Sequence, residues 1–136
     1  LLKIINYKEK DHYGVIASWW EAAEEQPPTR EMMPEESTFI LEAKGKPWIA
    51  VTVYLTNSTE VAWVDNLIAN PKMPGEGARK AAIAWLQKFL EEWALEKGYR
   101  KLFCMAAKPA LAERYRELGY TSTLKNVETF VKTLGE

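Results

Sequence analysis

The chain has 136 residues, and its 47% hydrophobic share is enough for one core and too little for two. A formal net charge of −1 provides no overall basic field to hold a nucleic acid backbone, so no nucleic-acid partner is expected. With one cysteine, Cys104, an intramolecular disulfide and a cysteine-based zinc site are both excluded, and no metal is expected.

Residues 1–7, with Leu2, Ile4 and Ile5 apolar, read as a first strand. No signal-like apolar stretch follows, and no run approaches the ~20 apolar residues that cross a bilayer. A soluble, cytoplasmic protein with no membrane partner is the expectation. Asp11 is placed to cap a helix whose apolar positions Val15, Ile16, Trp19 and Ala23 recur at helical spacing. Pro27-Pro28 stops it, and Thr29 to Met33 form a second short helical turn before Pro34. Thr38 to Ala43 and Trp48 to Leu55 read as strands of a hairpin joined by Lys44-Gly45-Lys46. Asn57-Ser58 turns the chain into a third strand of the meander, Glu60 to about Ala69.

At Asn70 the pattern changes. Residues 70–77 form a loop, and from Ala78 the period is helical, with Ala78, Ala82, Trp85, Phe89 and Trp93 on one stripe widened by Leu86 and Leu90. Lys80, Gln87, Lys88 and Glu91 face away, and Gly98 stands where a helix-ending glycine belongs. Leu102 to Ala107 reads as a strand covered on both faces, with Cys104 in it as a small hydrophobe. Pro109 opens a further helix, with Leu111, Tyr115 and Leu118 on one face and Gly119 at its end. Tyr120 to Thr123 and Val127 to Thr133 complete the chain as two short strands. The order β-α-α-β-β-β-α-β-α-β-β predicts one α/β domain over residues 1–136 with a mixed sheet. In it, the strands before Gly75 and at Leu102 lie parallel beneath the long helix.

Pro71-Lys72-Met73-Pro74-Gly75-Glu76-Gly77-Ala78-Arg79-Lys80 is the segment richest in chemistry. Glycines between a strand and a helix let successive N–H groups converge, and the helix N-terminus adds partial positive charge, which suits a phosphate. Arg79 and Lys80 are unfavourable in a first helical turn unless an anion is bound there. A tight strand-to-helix turn is the competing reading. The spacing fits neither a Walker A loop nor a dinucleotide-binding fingerprint.

These residues, taken with the order of elements over the whole chain, resemble the GNAT (general-control-type) N-acetyltransferase superfamily. That family carries Arg/Gln-x-x-Gly-x-Gly/Ala between its fourth strand and third helix. One register puts Lys72, Gly75 and Gly77 on this motif, and a gap-free one puts Pro74, Gly77 and Arg79 there. The segment Ala112 to Tyr120 is similar to the family's Ala-x-x-Tyr-x-x-x-Gly-Phe signature.

The resemblance implies acetyl-CoA as cofactor and an amine of a small molecule or protein as acceptor. Ile68 and Asn70 would meet the pantetheine arm, and Lys72, Gly75, Glu76, Gly77, Ala78, Arg79 and Lys80 the pyrophosphate. It also implies Tyr115 as the proton donor to the departing thiolate, against the simpler reading of a core aromatic. Asp65, the only carboxylate of its strand segment, is the candidate base, with Glu60 second and a solvated strand residue as the alternative. Trp20 and Glu24, among Trp19-Trp20-Glu21, Glu24-Glu25 and Met32-Met33, would receive a cationic amine. Adjacent tryptophans on a helix suggest that one is exposed or buried in a homodimer contact. His12 reads as a surface or capping histidine. A non-catalytic acyl-CoA sensor or protein-interaction module on the same fold is the alternative function.

Overall fold

Ala43 and Lys46 pair across the two-residue turn Lys44-Gly45, whose φ values of +53° and +76° give the twist that antiparallel strands need. This hairpin joins β2 (Thr38–Ala43) to β3 (Lys46–Leu55), so β3 starts two residues before the apolar pattern suggested. With β1 (Leu2–Asn6), β4 (Val61–Ala69) and β5 (Lys101–Cys104) they form one sheet, ordered β1-β2-β3-β4-β5. β1 to β4 are antiparallel neighbours, and β4 pairs with β5 in parallel. The expected mixed α/β sheet is therefore formed. The computed structural model describes residues 1–135 and divides the chain into two compact units, residues 1–105 and a second from Ala106 onward.

In the first unit a core lies on each face of the sheet. On one side α2 (Glu76–Glu96) packs Ala82, Ile83, Leu86, Leu90 and Ala94 against Phe39, Leu41, Ile49, Val51, Val53, Ala62 and Val64. On the other, α1 (Glu9–Ala22) packs Ile16 and Trp19 with Tyr7, Met33, Ile40 and Ala50. Thr38 and Thr52, both fully buried, satisfy each other through a 3.0 Å hydroxyl–hydroxyl bond.

Several expectations are corrected. Asp11 is not the helix cap, because α1 begins earlier. The Lys8 N–H donates to His12 Nδ1 at 2.9 Å, and the Glu9 N–H to Glu35 Oε2 at 2.8 Å. His12 is thus a capping histidine. The second helix is replaced by two single 3₁₀ turns, Arg30–Met32 and Glu35–Ser37, kept apart by Pro34.

In α2 the buried seam runs along 82, 86, 90 and 94, with Phe89 and Trp93 at its flank and Trp85 exposed. The small alanines allow close approach to the sheet, while long aromatic side chains reach it from the side. Gln87 is buried rather than outward, and donates to Cys104 Sγ at 3.4 Å. β5 has four residues and alternates, with Phe103 exposed and Leu102 and Cys104 against the α2 core.

In the second unit, α3 (Pro109–Glu117) ends in a Schellman turn. Gly119 (φ +91°) and Tyr120 donate to the carbonyls of Arg116 and Tyr115, and the rings of Tyr115 and Tyr120 lie 5.4 Å apart. The signature over Ala112 to Tyr120 thus encodes a helix stop and its hydrophobic clasp. The two expected C-terminal strands are not formed. Val127, Phe130 and Val131 are exposed, and β-propensity supplies only half of a strand, the other half being a partner's backbone.

Candidate active site

Asp-Asn is a poor strand dipeptide, and at Asp65-Asn66 the β4 ladder breaks register. Ala50 pairs with Ile68, but Thr52 pairs with Asp65, so β4 carries one residue more than β3 across this interval. Asn66 takes φ +55° to accommodate the bulge, and its N–H donates to Asp65 Oδ1 at 2.7 Å. Its Nδ2 donates to Tyr54 Oη at 3.0 Å, and Tyr54 donates in turn to the Met32 carbonyl at 2.6 Å. Burial pushes the Tyr54 phenol pKa upward, opposed by the Asn66 hydrogen bond and reinforced by the nearby negative charge of Asp65.

The bulge coincides with the parting of two strands. Parallel pairing of β4 with β5 runs from Val61–Lys101 to Val64–Cys104, while β4 continues to Ala69 with partners only on the β3 side. The β4 backbone beyond Asp65 therefore has an edge with no ladder on it. Ile68 sits on this stretch, half-buried against the α1-side core.

Asn70 then anchors the loop. Its N–H donates to the Trp48 carbonyl (2.7 Å), its Nδ2 donates to the Pro47 carbonyl (3.2 Å), and its Oδ1 accepts from Lys72 N–H (2.9 Å). These bonds engage its side chain in placing the loop. Met73 plugs into the α2-side core, and Lys72 stays exposed.

Helix α2 starts at Glu76 with Gly75 as N-cap, so Gly77 belongs to its first turn rather than to the loop. No side chain caps it, and the first backbone bond is Arg79 N–H to the Gly75 carbonyl (3.2 Å). The N–H groups of Glu76, Gly77 and Ala78 precede that bond. A Cβ built on Gly75 or Gly77 would meet nothing within 4 Å, so open space lies against this turn. Arg79 Nε is buried without a hydrogen-bond partner, and Lys80 lies exposed beside it. An uncapped helix start, open space and an orphan guanidinium donor together fit a polyanion such as the pyrophosphate of coenzyme A.

No protein-family model matches the chain, and no curated protein matches it in sequence. Solved structures do match. An aminoglycoside acetyltransferase from an uncultured soil metagenomic sample, solved with sisomicin, superposes with a TM-score of 0.65 at 19% identity, over 97% of this chain and 96% of that one. The ribosomal-protein-S18-alanine N-acetyltransferase of Escherichia coli gives a TM-score of 0.70 at 17% identity, over 91% and 80%. A predicted acetyltransferase from Clostridium acetobutylicum, solved with acetyl-CoA, gives 0.66 at 14%, over 96% of each chain. The chain has the GNAT acetyltransferase fold.

Within this GNAT fold the expected site residues fall into three groups. Asp65, Ile68, Asn70, Lys72 and the turn from Gly75 to Lys80 are brought into succession along β4, the loop and the start of α2. Trp20 is not an exposed partner of a buried Trp19. Both pack on the α1-side core, since residues 100° apart fit one broad apolar face, and Trp20 Nε1 is buried without a partner. Glu24 is exposed just past the end of α1. Tyr115 is buried and belongs to the second unit.

Sequence reasoning missed the hydrogen-bonded pair Tyr54 and Asn66 at the bulge. The signal for Asn66 was present, because an Asp-Asn pair inside an apolar strand marks a bulge. No group of three or more His, Cys, Asp or Glu side chains that could hold a metal occurs among the described residues. No helix there is long and apolar enough to cross a membrane.

Proposed function

We propose that the chain is an acetyl-CoA-dependent N-acetyltransferase, acting as a single domain on a primary amine of a small molecule or protein. The observation that carries this reading is the parting of β4 from β5 after Val64 and Cys104, on the strand whose end leads through the loop to the uncapped start of α2. In it, the N–H groups of Glu76, Gly77 and Ala78, with Arg79 and Lys80, hold the pyrophosphate. The unladdered edge of β4 around Ile68 receives the pantetheine arm as an added strand would be received.

Acetyl-CoA supplies the activated acetyl thioester. Amide formation joins the amine nitrogen to the acetyl carbon and breaks the carbon–sulfur bond, so one proton must leave the amine and one must reach the thiolate. Asp65 is the proposed acceptor of the first, directly or through a water. Tyr115 is the proposed donor of the second, a role that rests on the signature it occupies. Trp20 and Glu24 border the acceptor side in this reading.

Calorimetric titration with acetyl-CoA tests it. The wild type is expected to bind in the micromolar range, and Gly77→Asp to lose binding by about 100-fold or more through repulsion of the phosphates. Because a Cβ at Gly77 meets open space, the variant is expected to remain folded. A folded wild type that does not bind would overturn the reading. Binding without turnover on any amine would favour the alternative, a non-catalytic acyl-CoA sensor, for which Tyr115→Phe has no turnover to change.

A further inference from the structure

Tyr54, Trp63 and Phe103 are successive register partners on β3, β4 and β5, and so form one row across three strands. Their chain neighbours Val53, Ala62, Val64, Leu102 and Cys104 belong to the α2-side core, which puts the row on the opposite face of the sheet. The rings of Trp63 and Phe103 are stacked, 5.7 Å between centroids and 24° between planes, and Phe103 is still 38% exposed. Asp65 lies two residues beyond Trp63 on the same face, about 7 Å along the strand. The row ends at Tyr54, held by Asn66 and the Met32 carbonyl.

We infer that this surface recognises the acceptor, and that the acceptor is a protonated amine carried on an aromatic ring by a short linker. The inference rests on the acetyltransferase reading and goes further by naming the substrate class. Two stacked rings with an uncovered side offer a third ring the offset packing that aromatic groups prefer. A carboxylate one strand repeat away attracts the ammonium, and the indole face of Trp63 adds to that attraction. A linear alkylamine satisfies only Asp65, and an uncharged aryl alcohol only the rings. The separation of about two strand residues matches a ring and an amine joined by two carbons.

The test is a titration of the full-length, ¹⁵N-labelled chain, with and without coenzyme A, using 2-phenylethylamine, butylamine and 2-phenylethanol as probes. The expected result is shifts at the Trp63 indole N–H and the Phe103 and Asp65 amides, with 2-phenylethylamine bound about ten-fold more tightly than either other probe. Phe103→Leu, which keeps apolar bulk on an exposed position, should weaken 2-phenylethylamine about five-fold and leave butylamine unchanged. Equal affinity for the three probes, shifts confined elsewhere, or an unaltered preference in Phe103→Leu would each overturn the inference.

The readout needs no turnover, so the two readings separate. Aryl-amine binding by a chain that ignores acetyl-CoA keeps this surface and removes the enzyme. Acetyl transfer to butylamine and 2-phenylethylamine at equal kcat/KM keeps the enzyme and removes this surface.

Discussion

The phenolic oxygen of Tyr54 both accepts from Asn66 Nδ2 at 3.0 Å and donates to the Met32 carbonyl at 2.6 Å, tying the bulged strand to the turn that follows α1. Tyr54→Phe removes both bonds and leaves the buried Asn66 amide and the Met32 carbonyl without this partner. A loss of about 1–2 kcal/mol in urea unfolding is expected, with faster hydrogen exchange at the Asn66 amide. An unchanged midpoint and unchanged exchange would mean that the bulge holds its shape without the phenol.

Asp65 occupies the residue before the bulge, and its Oδ1 accepts the Asn66 N–H at 2.7 Å. Asp65→Asn retains an acceptor oxygen but cannot take a proton from an amine. Acetyl-CoA affinity should stay within about two-fold of wild type, while kcat/KM for the amine falls about 100-fold or more. Full activity in this variant would move the base elsewhere, Glu60 being next in line.

Glu24 adopts φ +59° at the residue after the C-cap of α1, where its N–H and that of Glu25 donate to the carbonyls of Glu21 and Trp20. This is the left-handed position that glycine fills without steric cost. Glu24→Gly is therefore expected to raise stability by about 0.5–1 kcal/mol, read as a higher thermal midpoint. If Glu24 also attracts the acceptor, KM for a cationic amine rises in the same variant. Stability and KM thus report separately on the two roles.

Tyr7 is fully buried, and its hydroxyl has no hydrogen-bond partner among the described residues. Burial, with a smaller contribution from Glu9, pushes its pKa up to about 12. The unfolded chain releases this proton near the ordinary value of about 10, so between about pH 10 and 12 the folded state binds the extra proton. Stability from this group is whole below pH 10 and is lost as pH rises toward 12. Tyr7→Phe should equal or exceed wild-type stability by about 1–2 kcal/mol at pH 7 and show a shallower alkaline decline. A variant less stable at pH 7 would mean that the hydroxyl has a partner, such as a buried water.

Local chemistry was the legible part of this sequence. The ends of β2, the glycines closing α2 and α3, and the break between β4 and α2 all follow from turn and cap preferences within a few residues. Facing was less legible. The expected α2 stripe holds at Ala82, Leu86 and Leu90, with Phe89 and Trp93 packed against the core, and fails at Trp85, which is exposed, while the seam runs on to Ala94. Large aromatic residues score as core in any window, whereas which side meets a sheet depends on how closely the backbones approach. Gln87 was misread as outward because its partner, Cys104, is distant in sequence.

In the candidate site, the order of strand, glycines and helix around Gly75 points to a strand-to-helix turn, and the structure places an uncapped helix start there. The Tyr54–Asn66–Met32 chain was not legible, since it joins three elements that no window contains. Tyr120 to Thr123 and Val127 to Thr133 are rich in strand-favouring residues, yet such propensity cannot say whether another backbone is there to receive them.

One inserted residue at Asn66 also reverses which positions of β4 point which way. Before it, even-numbered Ala62 and Val64 enter the α2-side core; after it, odd-numbered Leu67 and Ala69 do. A regular strand shows each face only every second side chain, but here consecutive residues, Asp65 and Asn66, both address the face bearing Tyr54. Deleting Asn66 would therefore restore plain alternation, with Leu67 and Ala69 still on the α2-side core, whereas deleting Trp63 with the bulge kept would turn one half of the strand's core side chains to the wrong layer. The strand's change of phase thus falls at the residue that follows the candidate carboxylate.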